Sequence, residues 1–169
     1  PSGDVQSHNP RSTPGHRPCP AGGAAHQFEN VPSVDRIEDS KLVAGGMTLI
    51  PTLKQRLARP SLLVDIAGIE ALHGIRMERT SLVVGAMTSH DQVAGAAEVQ
   101  HSIPALATLA SSIGDPQVRN RGTLGGAVAN NDPAADYPAA AVGLGGTIVT
   151  DRRRLPADAF FSGMFETLL

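Results

Sequence analysis

Residues 113–138 read IGDPQVRNRGTLGGAVANNDPAADYP, a polar run rich in glycine and asparagine with almost no charge clusters. Glycine loses more backbone freedom on ordering than any other residue, so such a cluster needs a reason. Either the chain turns tightly here, or something large lies against its backbone. A shorter segment of the same character, Ala44-Gly45-Gly46-Met47-Thr48, stands between a strand-like and a helix-like run.

The apolar pattern around these segments supplies the frame. Leu42 and Val43 read as a short strand. Thr48 suits a helix N-cap, after which Leu49, Leu53 and Leu57 recur at four-residue spacing on one helical face. Pro51 falls in the first turn, where its missing N–H does no harm. LLVDI at residues 62–66 reads as a buried strand. GIRMERTSLVVGAMT reads as two strands joined by a polar turn at residues 78–80. TSHDQVA opens a helix capped by Thr88 or Ser89, and SIPALATLASSI is a second helix with Ser102 as cap and Pro104 early. YPAAAVGLG is a short helix ending at glycine, and GTIVTD a strand. The strands are short and their connections irregular, which favours a mixed α+β fold over a doubly wound parallel sheet. The last segment, LPADAFFSGMFETLL, ends on the apolar pair Leu168 and Leu169 and reads as a domain cut short.

Composition narrows the function. A net charge of −2 argues against a nucleic-acid or membrane-surface partner, which demands a basic face. With no Trp and one Tyr, aromatic stacking of bases is disfavoured and the core falls to Leu, Val, Ile and Ala. The single cysteine, Cys19, excludes an intrachain disulfide and a cysteine-ligated cluster within this chain. No apolar run reaches membrane-spanning length and no signal-peptide pattern opens the chain, so the cytoplasm is the default location. Residues 1–40 are full of Pro, Gly, Ser, Arg and His and have no helical or strand period. They read as irregular or disordered, either a flexible tail or a product of a shifted reading frame. His8, His16 and His26 lie there with Cys19, at spacings that match no zinc pattern.

What can the glycine segments hold? In Ala44 to Thr48, successive N–H groups can form a concave anion site at a helix N-terminus, with the Thr48 hydroxyl as a further donor. It is neither the dinucleotide fingerprint G-x-G-x-x-G nor a P-loop, and an ordinary tight turn explains it equally well when it stands alone. In the second segment, Gly122-Thr123-Leu124-Gly125-Gly126 precedes Asn130, Asn131, Asp132 and Asp136. Asparagine amides can bond a sugar or ribityl chain, and Asp136 can accept from hydroxyls. Two such loops in one domain favour a long phosphate-bearing cofactor, one loop on each side of a pyrophosphate.

The remaining candidates are weaker. Arg119 and Arg121 can steer phosphate or be solvated strand charges. Asp132 and Asp136 lack a third metal ligand. GLGG at residues 143–146 suits a helix stop. Arg152, Arg153 and Arg154 form a short basic patch, in a solvated turn or an interface. There is no nucleophile elbow and no zinc-protease helix. His73, His90 and His101 have no spaced partners and read as surface or capping residues.

Together, LVAGGMTLIPTLKQRLARPSLLVDI and IGDPQVRNRGTLGGAVANNDPAADYPAA resemble the FAD-binding medium subunit of molybdenum hydroxylases, the group that includes aerobic carbon monoxide dehydrogenase and bacterial xanthine dehydrogenase. The resemblance runs from about Lys41 to Leu169, with FFSGMFETLL downstream as in the carbon monoxide dehydrogenase branch. It implies a two-subdomain α+β fold of the vanillyl-alcohol oxidase (PCMH) type, with residues 41–66 in the first subdomain and 67–169 in the second. It implies FAD contacts from Ala44, Gly45, Gly46, Met47, Thr48, Leu49 and Ile50, which would wrap the pyrophosphate. Further contacts would come from Ile113, Gly114, Gly122, Thr123, Gly125, Gly126, Asn130 and Asp136. It implies no catalytic acid or base and no metal ligand in this chain.

The family works as a relay. Substrate is oxidised at a molybdenum cofactor in a large subunit, and electrons cross two [2Fe–2S] clusters in a small subunit to reach FAD and then an external acceptor. Residues 1–40 do not show the family's opening strand and Ala-rich helix. Ala127 stands where the family often has Asn. The chain stops before the usual C-terminal domain, whose strands help cover the isoalloxazine. Two other readings follow from these departures: a degenerate flavin fold kept only as a docking module, and a flavin oxidase working alone, for which no substrate domain is left.

Overall fold

The computed structural model describes residues 39–169. The expectations for the N-terminal segment, including His8, His16, Cys19 and His26, lie outside the described residues.

The described chain opens with a β–α–β unit. Strands β1 (Ser40–Val43) and β2 (Leu62–Asp65) run parallel, with Ser40 opposite Leu62 and Val43 opposite Asp65. Parallel strands need a crossover, and helix α1 (Leu49–Lys54) lies within it. The helix is shorter than the leucine spacing predicts. It ends at Lys54, Arg56 takes a left-handed φ of 59°, and Leu57 is 74% exposed. Nor is β2 a buried strand, since Leu62 and Val64 are half-buried while Leu63 and Asp65 face outward.

A hairpin follows, β3 (Ile75–Glu78) and β4 (Ser81–Val84), where the sequence pattern placed it. Arg79 makes its turn with a φ of 55°. Six helices come next: α2 (His90–Gly95), α3 (Ala97–Ser102), α4 (Pro104–Ser112), α5 (Pro116–Arg121), α6 (Leu124–Asn130) and α7 (Asp136–Gly143). Hairpin β5 (Thr147–Val149) and β6 (Arg154–Pro156), helix α8 (Ala157–Phe160) and hairpin β7 (Phe161–Gly163) and β8 (Glu166–Thr167) complete the order. The chain is α+β, with its strands in four separate pairs among the described residues.

Local chemistry explains the helix starts. Ser89 caps α2 in a reciprocal box: its hydroxyl accepts from the Gln92 N–H at 3.2 Å, and the Gln92 side chain accepts from the Ser89 N–H at 2.9 Å. Pro104 opens α4 at its first position, where a missing N–H costs nothing. Ser102 does not cap that helix. It ends α3, and Ile103 occupies the cap position without a side-chain bond. The glycine-rich run expected to be loop contains α5 and α6, so Arg119 and Arg121 are helical rather than strand charges.

The core lies among the helices. Val93 from α2, Val99 from α3, Leu106, Ala107 and Ala110 from α4, Val128 from α6, Tyr137 from α7 and Phe160 from α8 form one buried cluster, with Ile75, Leu82 and Val84 of the first hairpin packed against it. The aliphatic core expected from composition thus has two aromatic members, including the only tyrosine. No helix among the described residues is long and apolar enough to cross a membrane.

Candidate functional site

The two glycine segments, far apart in sequence, meet in space. A Cβ added to Gly45 would fall on the Arg121 carbonyl and lie 2.9 Å from the Gly122 Cα, so the two backbones touch. A Cβ on Gly126 would stand 3.7 Å from the Ala44 side chain. Ala44 and Gly45 of one segment therefore lie against Arg121, Gly122 and Gly126 of the other.

Each segment leads into a helix. Gly46 turns the first with a φ of 72°, and the Ile50 N–H donates to the Gly46 carbonyl at 2.9 Å as α1 begins. Thr48 occupies the cap position, but its side chain makes no cap bond. In the second segment, the Thr123 hydroxyl accepts from the Gly126 N–H at 3.1 Å and caps α6. The helices have six and seven residues. The first-turn N–H groups of α6 are already bonded, to Thr88, Ala86 and Thr123, and that of Ile50 to Gly46, so the amides left for an anion are those from Gly45 to Leu49. Neither segment carries a carboxylate from Ala44 to Ile50 or from Gly122 to Asn130, and Arg121 adjoins the contact. A donor set of backbone amides and one uncommitted hydroxyl suits a pyrophosphate, so the residues fit a phosphate-bearing cofactor.

The second segment is also tied to the strand-to-helix turn before α2. The Leu124 N–H donates to the Thr88 carbonyl, the Gly125 N–H to the Ala86 carbonyl and the His90 N–H to the Gly122 carbonyl, at 2.9, 2.9 and 3.0 Å. Gly125 lies flat against Ala86. Close approach by the protein's own backbone thus accounts for glycine at 45 and 125, and the His90 ring for glycine at 122.

The other expected cofactor residues are spread around this contact. Ile113 and Gly114 stand at the opposite end of α5 from Gly122. Arg119 fastens them there, donating to both carbonyls at 3.2 and 2.8 Å, and Asp115 caps α5 through the Val118 N–H. Asn130 is at the far end of α6, and Asp136 is exposed at the start of α7. Asn131 serves the fold instead: left-handed at φ 44°, it donates to the Gly163 and Glu166 carbonyls at 2.7 and 3.1 Å and holds the β7–β8 hairpin. Asp132 accepts from the Ala134 N–H in a local turn at 2.9 Å. Among the described residues no group of three or more metal-ligating side chains converges. Arg153 donates to the Leu168 carbonyl, tying the basic turn to the last strand.

His90 departs from its expected surface role. It is buried on α2, its Nε2 would lie 2.5 Å from a Cβ at Gly122, and its ring packs on Tyr137 with centroids 5.2 Å apart. Burial lowers its pKa below the ordinary imidazole value. Burial, aided by the neighbouring Asp136 charge, raises that of Tyr137. The signal was present in the sequence: His90 and Val93 are three apart, on one face of the helix that Ser89 caps.

This geometry has relatives. Residues 24–169 match the family described as FAD binding domain in molybdopterin dehydrogenase, and the chain belongs to that family. The match reaches back past Lys41. The chain is 45% identical over 135 residues to the carbon monoxide dehydrogenase medium chain of Hydrogenophaga pseudoflava, covering 78% of this chain and 47% of that one. It is 35% identical over 136 residues to the nicotine 6-hydroxylase medium subunit of Paenarthrobacter nicotinovorans, covering 78% and 48%. The solved structure of the Hydrogenophaga pseudoflava carbon monoxide dehydrogenase that lacks the Mo-pyranopterin moiety of the molybdenum cofactor superimposes with a TM-score of 0.76 over 78% of this chain and 47% of that one, at 45% identity. The chain spans about half the length of the curated relatives it matches.

Proposed function

We propose that this chain is the FAD-binding part of a molybdenum hydroxylase medium subunit, passing electrons from the [2Fe–2S] clusters of a small partner subunit through FAD to an external acceptor. Substrate oxidation belongs to a large molybdenum subunit, and the assembly works in the cytoplasm. The observation that carries this reading is the direct contact of the two glycine segments, Gly45 on Arg121 and Gly122, in a chain of this family.

When bound, FAD supplies the redox chemistry, while the protein sets its position and electronics. Ala44, Gly45, Gly46, Met47, Thr48, Leu49 and Ile50 hold one side of its pyrophosphate, with the Thr48 hydroxyl as a side-chain donor. Gly122, Thr123, Gly125 and Gly126 line the other side, where glycine lets the cofactor come close to the backbone. Ile113 and Gly114 border the seat, and Asn130 and Asp136 bond hydroxyl groups. The chain's own residues bind and orient, and none acts as a general acid or base.

A visible absorption spectrum tests the reading. The purified 169-residue chain, incubated with FAD and desalted, is expected to keep a bound flavin, and Gly126→Leu to lose it. A folded chain that stays colourless, also with its partner subunits present, overturns it. That outcome favours a docking module, to which Met164 and Phe165, 75% and 59% exposed, lend an apolar surface.

A further inference from the structure

Two buried polar atoms among the described residues have no hydrogen-bond partner in the protein: His90 Nδ1 and Tyr137 Oη. Both belong to side chains at least nine-tenths buried, His90 at 5% and Tyr137 at 2% exposure. Their rings pack on each other. Buried polar groups are nearly always partnered, so two orphans on adjoining rings call for an explanation.

Their position supplies one. His90 touches the Gly122–Thr123 turn twice. Its backbone N–H donates to the Gly122 carbonyl at 3.0 Å, and its ring Nε2 fills the space that a Gly122 side chain would take. The preceding residue, Ser89, forms an isolated bridge to Thr123. Thr123 in turn caps α6. A shift of the His90 ring is therefore passed to the turn through direct contact.

The ring has no counter-charge. On α2 itself the neighbouring ionisable residue is Asp91. Of the elements packed against α2, α3 carries Glu98 and His101, α5 carries Arg119 and Arg121, and α4 carries none. Asp136 adjoins Tyr137 on α7. Among the described residues none of these pairs with His90, and burial alone disfavours its charged form. An imidazolium here has an unpartnered N–H and no carboxylate paired with it among the described residues, so proton uptake must disturb the packing.

We infer that His90 is a positioning residue for the flavin seat, which as a neutral ring packed at a tilt against Tyr137 holds the Gly122–Thr123 turn in place, and that proton uptake by His90 loosens that seat. The inference rests on the flavin reading for its ligand. The mechanical link from His90 to Gly122 stands without it.

Two measurements test it. In the unloaded, isotope-labelled chain, the Gly122 and Thr123 amide resonances are expected to titrate with the His90 imidazole. Amides that stay fixed while His90 titrates overturn the link, whatever becomes of flavin. The second measurement is FAD affinity from about pH 8 to about pH 5, the range in which imidazole changes charge. Affinity in the parent chain is expected to fall about tenfold towards acid, equivalent to about 1.4 kcal/mol. His90→Phe, which keeps a ring against Tyr137, is expected to flatten that profile, and Tyr137→Phe to retain it. An equal acid loss in the parent and in His90→Phe overturns the inference while leaving the flavin reading intact. A parent chain that binds no FAD at any pH overturns the flavin reading and leaves the amide titration to decide the link.

Discussion

The two glycine segments are alike in composition and in leading into a helix, but they differ in support. The one at Gly122 is built into the helical core. Its cap side chain is engaged, three backbone bonds tie it to the turn before α2, and His90 and Val128 are buried around it. The one at Gly45 hangs between two four-residue strands and a six-residue helix with no buried residue. Its cap hydroxyl is uncommitted, and Met47 and Ile50 are 36% and 37% exposed. Such a pair teaches how a clamp can be made: one jaw is over-determined by packing, and the other is placed by contact with the first. Fewer buried contacts also put the Gly45 jaw at the low-stability end of the domain.

The comparison is broken most severely from the core. Phe160, 1% exposed, belongs to the cluster that supports the second jaw. Phe160→Ala should destabilise the chain by about 3–5 kcal/mol, read by denaturant unfolding. Leu42→Ala, in β1 beside the first jaw and 49% exposed, should change stability by no more than ~0.5 kcal/mol. Equal losses would remove the distinction between the jaws.

Joining the jaws should matter next. In Gly45→Ala the new methyl meets the Arg121 carbonyl, which is backbone and cannot rotate away. We expect a cost of about 1–3 kcal/mol and weaker flavin retention, seen in unfolding curves and in the desalted spectrum. Unchanged retention would mean that the jaws do not need to touch.

The caps give a smaller and sharper contrast. Thr123→Ala removes a hydroxyl bonded to the Gly126 N–H and should cost about 0.5–2 kcal/mol. Thr48→Ala removes a hydroxyl that caps nothing and should leave stability within ~0.5 kcal/mol while weakening FAD binding. The opposite order would reassign the two threonines.

The smallest expected effect is one of pH. His90 binds a proton less readily folded than unfolded, so the unfolded chain holds more protons once the pH drops below the ordinary imidazole value of 6.5. Stability should therefore fall as the pH passes down through that value and level off below the lowered folded one. Unfolding midpoints across this window, compared with His90→Phe, check the sign.

Much of this was legible beforehand because the signals were local. Alternating apolar residues and the polar turn placed β3 and β4. TSHDQVA, with Thr88 or Ser89 as cap, announced α2, and the early Pro104 announced α4. The expectations failed where long-range packing outweighed local pattern. Leu57 has helical spacing, yet α1 ends before it because little packs over that face. Asn and Gly between residues 113 and 138 have low helix propensity, yet α5 and α6 form there because each has a capping side chain and because α6 buries Val128. His90 was assigned to the surface because a lone histidine has no partner in sequence, and its partners, Gly122 and Tyr137, are more than thirty residues away.

The sequence by itself determined the first hairpin, the helices that begin near Ser89 and Pro104, and the chemical character of the two glycine segments: glycines, small hydroxyls and no carboxylates. These depend on propensity, periodicity and composition within a few residues. Only the tertiary structure decided that Gly45 lies on Arg121 and Gly122, that Asn131 serves a hairpin, and that His90 is buried beneath the Gly122–Thr123 turn. Those are contacts between residues distant in the chain, and they form only when burial of the shared core offsets the entropy of closing the loops between them.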